Sequence, residues 1–278
     1  MTSTQPAKRQ WDCFLENLGE WEGSFTTYSP EGELREDIPS LLTLKQMEGR
    51  QGVHLTLKRD APRFPKPLAM EFTSLSRSLL FFESGAFSQG GMQFSPYSSQ
   101  FGGEFALVTA DRRLRSVILY NSQSELDYVT LIREQRLGSE VPERPPLQAD
   151  DLVGVWEGQS VTLFPDLRPA LNSTSRLEIE RVGDVLKQRL QFGPRSLETE
   201  AAIEGNRLMY RNSALPVQIM MLPDGASVNV PLKPELGKPF VLETGWLRTP
   251  TLRERIMRSF DAKGEWVGLT WVTEMKVA

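Results

Sequence analysis

Gly19-Glu20-Trp21-Glu22-Gly23 returns later in the chain as Gly154-Val155-Trp156-Glu157-Gly158, so that the second tryptophan lies 135 positions after the first. The far ends of the two copies agree as well, because Thr130-Leu131-Ile132-Arg133-Glu134 corresponds to Thr270-Trp271-Val272-Thr273-Glu274 at an offset of 140. A unit that opens on Gly-x-Trp and closes on a strand about a hundred residues later must complete its own sheet within that length. The repeat therefore predicts two small closed β-units that arose by duplication.

Short strands separated by turn residues fill both copies. In Val53-His54-Leu55-Thr56-Leu57-Lys58 apolar and polar side chains alternate with a period of two, which is typical of a strand and not of a helix. Ser29-Pro30-Glu31-Gly32 and Pro223-Asp224-Gly225 have the composition of turns between antiparallel strands. A short helical pattern over residues 11–18 is expected to cap the first unit. The sequence predicts an all-β protein of two tandem antiparallel β-barrels related by internal duplication.

The chain divides at a proline-rich segment. Residues 138–146 contain three prolines and no apolar periodicity, so this segment cannot continue a sheet and is stiffer than a glycine–serine tether. We predict an N-terminal barrel with a short helix in residues 1–137, a linker in 138–150 and a C-terminal barrel in 151–278. The segment 84–101, with a strand expected at 92–94, is rich in glycine and serine and is a candidate flap over a cavity mouth.

Composition excludes several classes of function. Of 278 residues 24% are charged, and the formal net charge of −4 gives no overall positive field to attract nucleic acid. The single cysteine, Cys13, cannot form an internal disulfide, and the first ten residues are not followed by the apolar stretch of a secretory signal, so a cytoplasmic location is expected. The apolar runs are far shorter than the ~20 residues that span a bilayer, so no membrane span is expected. Nothing in the sequence indicates a cofactor, and the oligomeric state is left open.

Gly19-Glu20-Trp21 and Gly154-Val155-Trp156, with arginine-bearing strands near the end of each half, resemble the signature of the lipocalin or calycin superfamily. The fuller pattern resembles an uncharacterised family of photosynthetic bacteria and plastids built from two calycin-like barrels. The stretches that carry this resemblance are residues 15–23, 163–166, 222–227 and 264–270. The superfamily implies small apolar ligands, and the photosynthetic setting brings calycin-type bilin lyases into consideration.

Two repeated arginine pairs are the main candidates for chemistry. Arg253 and Arg255 lie two apart on one predicted strand and so share a face, and the first half repeats this arrangement. Buried guanidinium groups need partners, which are either the internal acids or the carboxylate of a ligand. Besides the repeated glutamates, Glu22 and Glu157 are candidate internal partners. The candidate ligand-binding residues are Arg113, Arg115, Arg253, Arg255, Glu134, Glu274, Trp21 and Trp156.

The remaining reactive side chains are few. Cys13 lies on the apolar side of the predicted helix, where a free cysteine usually behaves as a small hydrophobe. His54, the sole histidine, excludes a multi-histidine metal site, and its alternation with apolar neighbours favours a solvated strand position. No catalytic residue and no metal site is predicted.

Three functions remain compatible with the sequence. The first is binding of a small apolar or conjugated ligand, such as a carboxylate-bearing, tetrapyrrole or lipid-like molecule, in a β-barrel cavity. The second is an enzyme of the bilin lyase or isomerase type on the same fold. The third is a pair of filled barrels that serve only protein–protein contacts. We favour binding, because a perturbed acid or base expected of an enzyme has little support in the sequence.

Overall fold

The structure, a computed structural model, describes residues 8–277 as antiparallel strands with two short helices. The first half consists of α1 (Gln10–Leu15), β1 (Gly19–Tyr28), β2 (Leu34–Gln46), β3 (Val53–Arg59), β4 (Leu68–Phe72), β5 (Leu79–Phe81), β6 (Phe87–Gly90), β7 (Phe101–Val108), β8 (Arg112–Tyr120) and β9 (Leu126–Arg136). The second consists of α2 (Ala149–Leu152), β10 (Gly154–Leu163), β11 (Leu171–Val182), β12 (Val185–Phe192), β13 (Arg195–Glu204), β14 (Arg207–Tyr210), β15 (Val217–Met221), β16 (Ala226–Pro231), β17 (Phe240–Thr249), β18 (Leu252–Phe260) and β19 (Trp266–Lys276). The predicted all-β class is confirmed.

The two halves differ in how far their sheets close. The second half is a closed ten-stranded barrel in which β10 pairs with both β11 and β19. The first half is a nine-stranded sheet in the order β4-β3-β2-β1-β9-β8-β7-β6-β5, which is open between β4 and β5. Between these two strands the chain runs through residues 73–78 without pairing, whereas the second half has β14 at the corresponding place. The expected pair of barrels is therefore one closed barrel and one curled half-barrel.

The glycines of the repeated motif are required by backbone geometry. Gly19 and Gly154 have φ values of 126° and 128°, a region that side chains with a Cβ atom rarely adopt. Gly23 lies where β1 and β9 approach closely, and a Cβ atom there would come within 1.9 Å of the carbonyl oxygen of Arg133. The positive φ occurs at the first glycine of the motif in both halves, which explains why Gly-x-Trp opens each copy.

The halves pack against each other through a shared apolar core. Strands β7 and β8 contact β17 and β18, and the buried residues of this core come from both halves. Phe240 and Phe260 stack with ring centroids 4.7 Å apart, and Phe101 packs edge-on against both. A separate buried cluster fills the base of each half, around Trp21 in the first and Trp156 in the second.

The segment 84–101 is part of this interface and does not form the proposed flap. Residues 87–90 form β6, whereas the strand expected at 92–94 is absent. The backbone N–H of Phe94 donates to the carbonyl of Gly264 at 2.8 Å, and the N–H of Trp266 donates to the carbonyl of Met92 at 2.8 Å. Sequence reasoning missed this because a glycine-rich stretch indicates a bend but not what the bend packs against.

Two buried arginines also join the halves. Arg258 of β18 donates to the carbonyls of Ser78 and Gly91 at 3.2 and 3.0 Å, and burial lowers its pKa to about 9, so it remains protonated at neutral pH. Arg112 of β8 donates to the buried carboxylate of Asp224 at 2.5 Å. It also donates to the carbonyl of Pro142 at 3.0 Å, which ties the proline-rich segment to both halves.

Candidate functional site

Strand pairing brings the predicted arginines and glutamates together at the base of each half. Arg113 on β8 lies directly opposite Glu134 on β9, and Arg253 on β18 lies directly opposite Glu274 on β19. Directly opposed residues of an antiparallel pair project to the same face, so each arginine can reach its glutamate. The duplication is therefore preserved at the level of individual side-chain pairs.

In the first half one buried carboxylate binds two guanidinium groups. Arg113 Nε donates to Glu134 Oε2 at 2.7 Å, and Arg115 donates from Nε and Nη2 at 3.0 and 2.8 Å. Arg115 Nη1 donates to a second acid, Glu104 Oε1, at 2.6 Å. Two positive and two negative charges thus neutralise one another.

The second half repeats this network. Arg253 Nε donates to Glu274 Oε2 at 2.7 Å, and Arg255 donates from Nε and Nη2 at 3.2 and 2.8 Å. Arg255 Nη1 lies 3.4 and 3.3 Å from the two carboxylate oxygens of Glu243, longer contacts than in the first half. In both networks the arginines are buried and pair with internal acids under the tryptophan, whereas the sequence also permits a ligand anchor or simple surface exposure.

A tryptophan lies over each network. Arg113 Cζ is 4.6 Å from the ring centroid of Trp21, and Arg253 Cζ is 4.9 Å from that of Trp156. A cation over the face of an indole ring is stabilised by the ring quadrupole. The indole N–H of Trp156 donates to the carbonyl of Leu152 at 2.9 Å, and that of Trp21 is satisfied in the same way. The eight predicted site residues thus form two sets of four.

The electrostatics favour the charged form of the central carboxylate in each network. Burial alone would raise the pKa of Glu274, but Arg253 and Arg255 outweigh burial, and its pKa lies below the ordinary value. Glu134 shows the same direction for the same reason. Burial alone would lower the pKa of Arg255, but Glu274 and Glu243 raise it overall. Both carboxylates are therefore ionised at neutral pH.

Two predicted partners lie outside the networks. Glu157 projects to the outer face of the second barrel, where its side chain is 60% exposed and accepts a hydrogen bond from Arg176 at 3.0 Å. Glu22 accepts from Gln135 on the outer face of the first sheet. The reason is the two-residue period of a strand, which turns the neighbour of an inward tryptophan outward.

Sequence reasoning missed the second acid of each network. Glu104 and Glu243 lie at an offset of 139, close to that of the arginines, and this repeat could have identified them. Arg136 and Lys276, at an offset of 140, were missed in the same way. Their cationic groups lie 3.9 Å from the ring centroid of Trp21 and 4.9 Å from that of the second-half tryptophan.

The other reactive residues lie apart from the networks. Cys13 is buried in the cluster at the base of the first half, and burial is the main cause that raises its pKa. His54 is on the outer face of β3, where its side chain is partly exposed near Glu71. Within residues 8–277 no group of three or more His, Cys, Asp and Glu side chains is arranged to hold a metal ion. In the same range no helix has the length and apolar character needed to cross a membrane.

The inner face of the second barrel can be followed by register. Trp156 is paired with Leu177, which is paired with Leu190, which is paired with Leu197, so all four project into the lumen. The outer face of the same strands is charged, as in the ion pair between Lys187 and Glu200. We call the end of the lumen near the tryptophan its base and the opposite end its mouth. The base is filled by a buried apolar cluster.

The mouth of this lumen is not filled. Leu171, Phe192 and Leu197 project inward yet are 57%, 38% and 51% exposed. In a closed barrel an inward side chain is exposed only to the lumen and its opening. The upper lumen is therefore open and partly apolar. A separate groove of about 580 Å³ lies on the charged outer face of β11 to β13, where its lining includes Glu178, Lys187 and Glu200.

The first half has a smaller groove on its inner face. Its volume is about 290 Å³, and its lining includes Gln89, Glu104, Val117 and Leu119. All four project to the same face as Trp21, because each is linked to it through directly paired residues. The open face therefore borders the second acid of the first network.

Fold and site together define an all-β protein of two duplicated barrel-type sheets, each braced at its base by a buried Trp–Arg–Glu network. Residues 7–139 match the family described as the N-terminal part of the domain of unknown function DUF3598. Residues 143–277 match the family described as the C-terminal domain of biogenesis factor required for ATP synthase 1. The chain is 46% identical to a DUF3598 protein of unknown function from Nostoc punctiforme, with a TM-score of 0.92 over 97% of this chain and 100% of that one. The chain belongs to the DUF3598 family.

A more distant similarity concerns the fold alone. The S-type phycobiliprotein lyase CPES from Guillardia theta is 15% identical, with a TM-score of 0.38 over 46% of this chain and 90% of that one. No curated protein matches the chain.

Proposed function

We propose that the second barrel binds a small, largely apolar molecule in its lumen. The observation that carries this proposal is the exposure of inward-facing Leu171, Phe192 and Leu197 at the mouth of a closed barrel. Exposed apolar surface in a concave site is stabilised by an apolar ligand, because contact removes that surface from water. The ligand enters a lumen whose base is already packed, so it occupies the upper half.

The base networks do not supply the ligand anchor in this proposal. Arg253 is bound by Glu274, and Arg255 by both Glu274 and Glu243. A carboxylate ligand at these arginines would have to displace an internal acid and leave it buried without a partner. We therefore assign the arginines to the scaffold and the binding role to the apolar mouth.

Binding is tested with N-phenyl-1-naphthylamine, an uncharged dye that fluoresces in apolar surroundings. We expect the wild-type protein to bind the dye and Leu197→Asp to weaken binding at least fivefold, because a charge at the mouth opposes desolvation of the dye site. Val182→Asp, at a residue that is 57% exposed on the outer face, is the matched control and should bind normally. Absence of dye binding to the wild type would reject the proposal. If the dye binds, native mass spectrometry of protein from a pigment-containing host would identify a retained ligand.

A second candidate function is participation in the assembly of ATP synthase. The specific observation is the family match over residues 143–277, which includes the whole second barrel. In this proposal the protein binds an ATP synthase subunit before assembly. The test is the amount of assembled enzyme on a native gel after deletion of the gene. A normal amount of assembled ATP synthase, with normal subunit synthesis, would count against this role.

A further inference from the structure

Above the base network of the second barrel lies a polar pair that the network does not use fully. Asn229 on β16 is directly opposite Glu243 on β17, and both project into the lumen. The side-chain amide of Asn229 makes no hydrogen bond within residues 8–277, although its Oδ1 atom is buried. In the same part of the chain, the Glu243 carboxylate receives two long hydrogen bonds, both from Arg255 Nη1, at 3.4 and 3.3 Å. A buried polar atom without a partner is uncommon, and the Oδ1 atom of Asn229 is free to accept a hydrogen bond from a ligand.

The charge around this pair is balanced. Arg253 and Arg255 carry two positive charges, and Glu243 and Glu274 carry two negative charges in the same network. The further cation, Lys276, lies at the base, where it contacts the Trp156 ring and donates to the carbonyl of Asp151 at 3.0 Å. A ligand carboxylate would bring an uncompensated negative charge beside Glu243, and a ligand ammonium would bring an uncompensated positive charge beside Arg255. The site is therefore suited to an uncharged group that both donates and accepts hydrogen bonds.

The opposite wall of the lumen is apolar. Leu190 and Phe192 on β12 project inward, as does Leu197 on β13, and β12 lies five strands from β17 around the ten-stranded barrel. An elongated molecule in the upper lumen thus has a hydrogen-bonding wall on one side and an apolar wall on the other.

The first half contains the same polar pair at its inner face. Gln89 on β6 is directly opposite Glu104 on β7, at offsets of 140 and 139 from the second-half pair. Gln89 and Glu104 both line the inner-face groove of about 290 Å³. The amide–carboxylate pair is therefore a duplicated feature of the fold, found above the braced base in each half.

We propose that the second barrel selects an elongated, uncharged molecule with one hydroxyl or amide group. This group hydrogen-bonds to Asn229 and Glu243, while the apolar body lies against Leu190, Phe192 and Leu197. The inference deepens the proposed ligand-binding function and rests on it. It differs from the carboxylate-bearing ligand, which is one of the alternatives that the repeated arginines leave open when only the sequence is considered.

The test compares decan-1-ol, decanoate and decylammonium, which share one chain and differ in the charge of the head group. At pH 8 and in the same salt, we expect decan-1-ol to displace N-phenyl-1-naphthylamine at a concentration at least tenfold lower than either ion. Asn229→Leu should weaken decan-1-ol binding about fivefold, the effect of one net hydrogen bond, and leave decanoate unchanged. Gln191→Leu, which removes an amide from the outer face of β12, is the matched control and should leave all three affinities unchanged.

The experiment distinguishes failure of the head-group selectivity from failure of lumen binding itself. Decanoate binding as tightly as decan-1-ol, or unchanged decan-1-ol binding to Asn229→Leu, would overturn the selectivity while lumen binding stands. Absence of binding of all three probes and the dye would overturn the proposed function and this inference with it. Asn229→Ala removes the amide without adding bulk and is the second variant, for use if the leucine variant does not fold. Its affinity for decan-1-ol should be about fivefold lower than that of the wild type.

Discussion

Replacing Glu274 by glutamine tests whether the buried network stabilises the second barrel. The carboxylate is fully buried and accepts hydrogen bonds at 2.7, 3.2 and 2.8 Å from Arg253 and Arg255. Glutamine has nearly the same shape but no charge, so two buried guanidinium groups would share only Glu243. Breaking a buried ion pair by removing one partner costs about 3–5 kcal/mol. We expect Glu274→Gln to lower the free energy of unfolding by that amount.

The assay is urea unfolding followed by circular dichroism at pH 7, with thermal unfolding as a second measurement. At about 2–4 °C for each kcal/mol, the melting temperature should fall by roughly 6–20 °C. Glu157→Gln is the matched control, because this glutamate is on the same barrel but 60% exposed in a surface ion pair. Its loss should be below about 1 kcal/mol. A loss below about 1 kcal/mol for Glu274→Gln as well would refute the idea that the network is a brace.

The same variant has a pH signature. The pKa of Glu274 is lower in the folded protein than its ordinary value, so this group contributes stability that is complete above the unfolded pKa. That contribution is lost as the pH falls through the lower, folded pKa. The free energy of unfolding of the wild type should therefore fall more steeply than that of Glu274→Gln below about pH 4.5. Parallel curves would show that the carboxylate is not held in its charged form.

Three further perturbations follow from the fold. Gly154→Ala should cost about 1–3 kcal/mol in thermal unfolding, because φ is 128° at this position, whereas Gly183→Asn, at a turn with φ of 62°, should cost less than about 1 kcal/mol. Cys13 is 1% exposed, and burial raises its pKa, so its reaction with a thiol reagent should be roughly 100-fold slower than in urea; equal rates would show that α1 does not stay packed. Asp224→Ala should cost about 1–3 kcal/mol in urea unfolding, since it leaves Arg112 of the inter-half contact without its carboxylate; an unchanged midpoint would contradict that contact.

Much of the site was accessible from the sequence because both copies keep the same spacing. The offset of 140 alone identifies Arg113 with Arg253, and Glu134 with Glu274, as corresponding residues of the two copies. The offset does not show whether these arginines bind a ligand or internal acids. That depends on whether a second acid of the chain reaches the outer arginine of each network. Glu104 and Glu243 come from β7 and β17, the strands that directly precede the arginine strands, and they reach the arginines through the register and curvature of the sheet. The division of the chain at residues 138–150 stays a prediction.

The sequence by itself determined the all-β class, the duplication and eight of the residues at the two bases, because strand period and motif spacing are local properties of the chain. Only the tertiary structure decided that one sheet closes and the other does not, since closure depends on whether β14 or the unpaired residues 73–78 follow the fourth strand of each half. It also decided that the arginines pair with internal acids, while Asn229 Oδ1 has no hydrogen-bond partner among the residues that the structure describes. Burial and hydrogen bonding across a barrel depend on residues brought together from many strands, and no local pattern encodes them.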